Sequence, residues 1–267
     1  MKYKYGFLGS GNMGGAMIHG VLNAGLADKS EVIASCKTSE SKVKKAEEFG
    51  ITMTQDNAEV VKNSDIIILA VKPYQFDEVL PIVKDNLAGD QIIVSVAAGK
   101  SISDIEYALP FSKLRIARAM PNTPAAVGEA MSGVCFNENF SADDKEKVMA
   151  IFNSFGKAVE VKESMMDTVI GISGSSPAFI YMLIEAMADE AVVYGMPRKD
   201  AYIFAAQSVL GTAKMVLETG KHPGELKDAV CSPGGTTIAG VEALEDAGFR
   251  SDIMKGIKAA IEKAKSM

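Results

Sequence analysis

Three glycines near the start of the chain have the spacing of an anion cradle. Gly9, Gly11 and Gly14 form G-x-G-x-x-G between an apolar run, Tyr5 to Leu8, and a helical pattern. The first glycine permits a tight turn, the second lets a pyrophosphate approach the main chain, and the third lets the helix lie close on the strand. The helix start adds unpaired N–H groups and a partial positive charge. Two later segments have related chemistry: Ser173-Gly174-Ser175-Ser176-Pro177 and Cys231-Ser232-Pro233-Gly234-Gly235-Thr236-Thr237. Each precedes a helical pattern and reads as a loop able to offer backbone amides to a small anion. The plain alternatives are a tight turn without a ligand and two ordinary helix starts. A dinucleotide site and a small-carboxylate site are the chemical reading. No metal site is expected, because the two histidines, His19 and His222, and the three cysteines, Cys36, Cys135 and Cys231, lack ligand spacing.

The elements that must position these groups follow from periodicity. Met13, Met17, Val21 and Ala24 recur at helical spacing up to Gly25, and Glu31 to Ser35 reads as a second strand. Strand, crossover helix and parallel strand make a Rossmann unit. Sites for NAD usually carry an acidic residue at the end of that second strand. Ser35-Cys36-Lys37-Thr38 stands there instead. Hydroxyls and the Lys37 cation suit a 2′-phosphate, so NADPH is expected to be preferred, with NADH left open as a second acceptable cofactor. Asn57 could cap a helix or reach the cofactor ribose, and its position alone favours the cap.

Asp65 to Val71 is a continuous apolar run, the mark of a strand covered on both faces, and Pro73 after Lys72 suits the first turn of the next helix. Gln91 to Val96 repeats the pattern and ends in Ala97-Ala98-Gly99, small enough to admit a flat ring or simply to pack closely. Lys113 to Ala119 reads as a strand whose Arg115 and Arg118 make edge or surface ion pairs. Residues 127–136 hold one or two strands, and Lys157 to Val161 is the last. Strands alternating with helices argue for a mainly parallel sheet.

From Glu163 onward strand signals fade and helices take over. The first two are apolar around much of their circumference, with Phe179, Met182, Ile184 and Met187, then Ile203, Phe204, Val209 and Leu210. Such helices need burial on more than one side, which predicts an obligate dimer with interlocked helices. The fold class is therefore α/β: a doubly wound, mostly parallel Rossmann-type domain over 1–162, then an all-α dimerisation and substrate domain over 163–267. The net charge of −6 across 267 residues argues against nucleic acid and anionic membranes as partners. No secretory leader and no apolar stretch long enough to span a bilayer are read, and unpaired cysteines fit a cytoplasmic protein.

With these residues in view, the sequence resembles the Δ1-pyrroline-5-carboxylate reductases. The resemblance covers essentially the whole chain. It rests on Gly6 to Gly14, Ala70-Val71-Lys72-Pro73, Met120-Pro121-Asn122-Thr123-Pro124, Ser173 to Ala178, His222 to Asp228, and Ser232 to Thr237 followed by Glu245 to Phe249. It implies reduction of L-1-pyrroline-5-carboxylate to L-proline, with hydride passing from nicotinamide C4 to the imine carbon. It places the cofactor on Leu8, Gly9, Ser10, Gly11, Asn12, Met13, Ser35, Asn57, Ala70, Val71, Lys72, Pro73, Ala97 and Ala98, which overrides the cap reading of Asn57. The substrate carboxylate would lie on amides of Gly234, Gly235, Thr236 and Thr237, with Ser175 nearby and Glu163 close to the ring. Thr237 would hydrogen-bond the ring nitrogen and relay its proton. Interlocked homodimers, often assembled as a pentamer of dimers, are also implied, with the active site at the dimer interface. One departure stands out: some relatives carry Asn after Lys-Asp, where this chain has Ala229.

A protonated cyclic imine already accepts hydride well, so position and electrostatics matter more than a strong acid. A β-hydroxyacid dehydrogenase is the competing enzyme reading; it usually needs a lysine acid/base in the helices, and Lys214 is the one candidate in the apolar stretches. A nucleotide-binding protein without turnover is the non-enzymatic alternative.

Overall fold

A computed structural model describes residues 2–266. The first part alternates β1 (Tyr3–Leu8), α1 (Asn12–Asn23), β2 (Val32–Ser35), α2 (Ser39–Phe49), β3 (Thr52–Thr54), α3 (Asn57–Asn63), β4 (Ser64–Leu69), α4 (Phe76–Asn86), β5 (Ile92–Ser95), α5 (Ile102–Ala108) and β6 (Arg115–Met120). It closes with β7 (Ala130–Phe136), α6 (Ala142–Asn153) and β8 (Gly156–Glu160). Then come α7 (Met166–Val169), a π turn (Ile170–Gly174), α8 (Ser176–Val193), α9 (Arg198–Thr219), α10 (Pro223–Val230), α11 (Thr236–Asp246) and α12 (Phe249–Lys265). The chain divides into two compact units, one running up to Gly174 and resuming at Ile261, the other Ser175–Ala260.

The first unit contains one eight-stranded sheet in the order β3-β2-β1-β4-β5-β6-β7-β8. All neighbours are parallel except β6 and β7. The order reverses between β1 and β4, and the C-terminal strand ends flanking that point are where open α/β sheets take ligands. The apolar run of β4 has a direct cause. Ile66 and Ile68 enter one layer with Phe7, Met17 and Phe152, while Ile67 and Leu69 enter the other with Val60, Val83 and Ile105. Both faces exclude water, so no polar alternation survives. Local chemistry sets the helix ends. The Thr38 hydroxyl accepts from Ser41 N at 3.1 Å to start α2, and Gly50 stops it at φ +68, a conformation costly for side chains with a Cβ.

Several sequence expectations change here. β3 is an additional short edge strand. Residues 127–136 hold one strand, within the expected one or two, but it runs antiparallel to β6. Arg115 and Arg118 are not on an edge, because β6 lies between β5 and β7. Asp56, not Asn57, caps α3: its Oδ1 accepts from Ala58 N at 2.8 Å. Ser173 to Pro177 is not a loop either. The Ile170–Gly174 segment is wound as a π turn, Ser175 is a single bend before α8, and the helical run Glu163–Val193 spans 31 residues. That helix is long and apolar enough to cross a membrane by length and composition, contrary to the sequence reading. The same composition suits a helix face built for another subunit.

In the second unit, α8 and α9 pack against each other. Phe179 of α8 lies against Gly256 of α12, where a Cβ would meet its ring at 3.9 Å. Much apolar surface stays uncovered in one chain: Met182 is 67%, Phe204 65% and Ile203 58% exposed.

Candidate active site

The glycine turn is built as a cradle. Gly9 has φ +95, and a Cβ there would stand 2.9 Å from the Ala70 carbonyl oxygen. A Cβ on Gly14 would meet the Gly9 carbonyl oxygen at 2.3 Å, so α1 can pack on the turn only with glycine. Gly11 is different: a Cβ there meets nothing within 4 Å. The turn is closed on the protein side and open on the outside. Gly11 caps α1 in an extended conformation without a side-chain hydrogen bond, and no acidic residue occupies the first turn. The first intrahelical bond is Gly15 N to Gly11 O at 2.7 Å, which leaves the preceding amides of the first turn for a ligand. This shape and donor set fit the pyrophosphate of a dinucleotide.

Two serines hold the turn in place. Ser35 Oγ accepts from Gly9 N at 3.2 Å, and Ser10 Oγ donates to Ser35 O at 3.0 Å. The tips of β1 and β2 are thereby tied together. Beside them, a cavity of about 710 Å³ is lined by Gly11–Met13, Ala70–Pro73, Val96–Ala98, Thr123, Ala125 and Ala126. Nine of the expected cofactor residues line it: Gly11, Asn12, Met13, Ala70, Val71, Lys72, Pro73, Ala97 and Ala98. Leu8 is fully buried beneath, and its carbonyl accepts from Ala70 N at 2.9 Å. Lys37 is exposed on the loop after β2, and Asn57 is half-buried at the start of α3.

Glu163 is engaged within the first unit. Its Oε1 accepts from Ile102 N at 2.8 Å and from Arg118 Nη1 at 3.1 Å. One carboxylate thus joins β6, the start of α5 and the segment before α7. The strand order reveals the need for this hub: it makes Arg118 a charge inside an interior strand, and a buried charge demands a partner. Ser173 belongs to a similar tie, since Asn122 Nδ2 donates to its carbonyl at 3.0 Å while Asn122 Oδ1 accepts from Met131 N at 2.9 Å. Ser175, half-buried, starts α8 without making a side-chain cap.

The second unit carries the other amide cluster. Gly234 has φ +67. Gly235 is the extended N-cap of α11, again with no side-chain cap and no acidic first turn. A Cβ on Gly235 would meet Ser232 Oγ at 2.5 Å and the Ser232 carbonyl oxygen at 3.1 Å, so a side chain there would push the serine hydroxyl aside and crowd the turn. Thr236 and Thr237 occupy the exposed first turn. The chemistry available is an anion on free amides with a hydroxyl alongside. Lys214, by contrast, is 67% exposed on α9 and pairs with Glu218 at 3.4 Å. It is a surface lysine in this chain, not one lodged in a site.

Comparison with known proteins agrees with this chemistry. A family model described as "Pyrroline-5-carboxylate reductase dimerisation" matches residues 163–267. One described as "NADP oxidoreductase coenzyme F420-dependent" matches residues 4–99. The pyrroline-5-carboxylate reductase of Methanosarcina acetivorans is 46% identical over 264 residues, covering 99% of this chain and 97% of the relative. That of Escherichia coli K12 is 44% identical over 267 residues, 100% of this chain and 99% of the relative. Among solved structures, the Plasmodium falciparum pyrroline carboxylate reductase with NADP bound has a TM-score of 0.87 at 34% identity, covering 100% of this chain and 98% of that one. The Coxiella burnetii enzyme has a TM-score of 0.93 at 32% identity with the same coverage. Identity at this level, sustained from the glycine cradle through the helices, is that of common descent, and the chain belongs to the pyrroline-5-carboxylate reductase family.

Proposed function

We propose that the chain reduces L-1-pyrroline-5-carboxylate to L-proline, the last step of proline biosynthesis, with NADPH preferred over NADH. The observation that carries this reading is the full-length identity of 46% and 44% to reductases of that name, in a chain whose own glycine turn is open only at Gly11. When bound, a reduced nicotinamide supplies the hydride that turns the C=N carbon into a saturated one.

The chain's own residues do the rest. Amides of the α1 first turn hold the pyrophosphate, and Ala97 and Ala98 leave space for a flat ring at the end of β5. Amides of Gly234 to Thr237 take the substrate carboxylate, with Ser175 beside it. The Thr237 hydroxyl hydrogen-bonds the ring nitrogen and relays its proton. Glu163 stands close to the ring, and its Oε1, occupied by Ile102 and Arg118, keeps its orientation fixed. The division of labour falls at 162/163, with cofactor binding before it and self-association and substrate binding after it.

The chain associates with itself through 163–267. The interlocked form of the dimer, a pentamer of dimers, the absence of a membrane partner and a cytoplasmic location belong to this proposal. The exposed apolar faces of α8 and α9 support burial by a second copy. Sedimentation velocity without detergent tests it; a monomer overturns it. The test of function is NADPH oxidation with pyrroline-5-carboxylate, with proline identified as product, repeated with NADH. No oxidation with this substrate refutes the reading, and turnover of a hydroxy acid instead favours the dehydrogenase alternative.

A further inference from the structure

The 2′-phosphate reading has so far rested on Lys37, which is exposed on its loop. The structure aims a second cation at the same place. Lys45 lies about two turns into α2. Helical side chains tilt toward the N-terminus of their helix, and this one reaches up to the glycine turn, where Nζ donates to Ser10 Oγ at 3.1 Å. Ser10 and Ser35 are each 3% exposed. Ser10 Oγ spends its own hydrogen on Ser35 O, so it can only accept from the ammonium. The cation is therefore oriented by a buried hydroxyl pair at the joined tips of β1 and β2.

Lys45 makes no ion pair among the described residues. Glu48, one turn along the same helix, faces His19 at 3.7 Å instead. No carboxylate follows β2 directly, since Ser35, Cys36, Lys37 and Thr38 are neutral or basic. Lys45, half-buried and without an ion pair among the described residues, lines one cavity with Ser10, Gly11, Asn12 and Glu48. It is linked through Ser10 to the strand end that faces a dinucleotide's ribose, which places its ammonium for an anion bound there. Two anions are within chemical reason: the pyrophosphate, held over the α1 amides, and a phosphate on the ribose 2′-oxygen, held at the β2 tip. Ser35 is the last residue of β2, and Lys45 is tied to it through Ser10.

We infer that Lys45 is a specificity-determining residue that reads the 2′-phosphate of NADPH. The inference rests on the dinucleotide reading of this cradle. It makes Lys45, positioned by Ser10, the principal cation of the subsite and Lys37 a secondary one.

The test measures binding, not turnover. Dissociation constants of NADPH and NADH are taken by fluorescence titration for wild type, Lys45→Ala, Lys45→Arg and Lys37→Ala. The fragments 2′,5′-ADP and 5′-AMP are titrated calorimetrically in parallel. Lys45→Ala is expected to weaken NADPH and 2′,5′-ADP on the order of 10- to 100-fold. NADH and 5′-AMP are expected to change by less than about twofold. Lys45→Arg keeps most of the discrimination, and Lys37→Ala loses less of it than Lys45→Ala. Equal weakening of NADPH and NADH assigns Lys45 to the pyrophosphate and overturns the inference. An unchanged NADPH/NADH ratio in Lys45→Ala overturns it as well, while leaving the cofactor reading standing. A wild-type protein that binds neither dinucleotide overturns both. Melting curves of each variant separate lost binding from lost folding.

Discussion

Replacing Gly11 and Gly14 separately divides ligand space from folding space. A methyl on Gly14 points at the Gly9 carbonyl oxygen only 2.3 Å away. A main-chain oxygen cannot swing aside as a side chain can, so β1 and α1 must part. Overpacking of that kind costs about 1–3 kcal/mol, roughly 2–12 °C in melting temperature for a domain of this size. A methyl on Gly11 meets no protein atom within 4 Å, and its extended backbone suits alanine. The fold should lose at most about 1 kcal/mol there, from the poorer N-cap. The same methyl stands where the pyrophosphate approaches. Losing one charge-assisted hydrogen bond at about 1.5–3 kcal/mol weakens NADPH roughly 10- to 100-fold. Thermal melting without ligand and fluorescence titration with NADPH read the two effects on the same samples. Gly11→Ala is expected to melt near wild type and bind poorly, while Gly14→Ala does both badly. If Gly11→Ala binds NADPH as tightly as wild type, the cradle does not hold the cofactor in the way argued.

Other consequences can be checked independently. Thr237→Ala should lower kcat/KM about 10- to 100-fold, the loss of one hydrogen bond to a charged centre, and an unchanged value removes Thr237 from proton relay. Phe152 is fully buried between α6 and the sheet; Phe152→Ala should cost about 3–5 kcal/mol in urea denaturation, and a loss below 1 kcal/mol would show that the site collapses around the void. Hydrogen bonds from Lys147 first, then Arg115 and Ser141, hold the Asp144 carboxyl well below the usual carboxylate range against the cost of burial. A folded-state pKa below the unfolded one stabilises above the unfolded value and ceases to do so as pH falls; the contribution is thus complete above about pH 5 and lost progressively below it. Melting temperatures from pH 6 down to pH 3 should fall more steeply for wild type than for Asp144→Asn, and parallel curves would exclude this carboxylate as the cause.

Much of this molecule is decided within short windows of sequence. Gly9, Gly11 and Gly14 are legible because each answers a local steric demand of one turn. The strand at Ile66 to Leu69 is legible because burial on both faces leaves an unbroken apolar run. The uncapped start of α11 can be read from Gly234-Gly235-Thr236-Thr237 for the same reason. Other features depend on neighbours far along the chain. Thr52 to Thr54 is a strand only because β2 offers it an edge, and its own pattern is too short and polar to announce it. Serine, glycine and proline at 173–177 suggest a loop, yet the chain keeps a π turn up to Gly174, tied by Asn122 to Ser173, and bends only at Ser175 before α8. Arg118 reads as a surface charge until the strand order puts β6 inside the sheet, where burial requires Glu163 as its partner. Lys45 looks like one more charge on a polar helix, and only the crossing of α2 beside the glycine turn brings its ammonium to Ser10. Periodicity records which face a residue turns toward; it does not record what stands opposite, because that is set by contacts between segments whose separation in sequence carries no local signal.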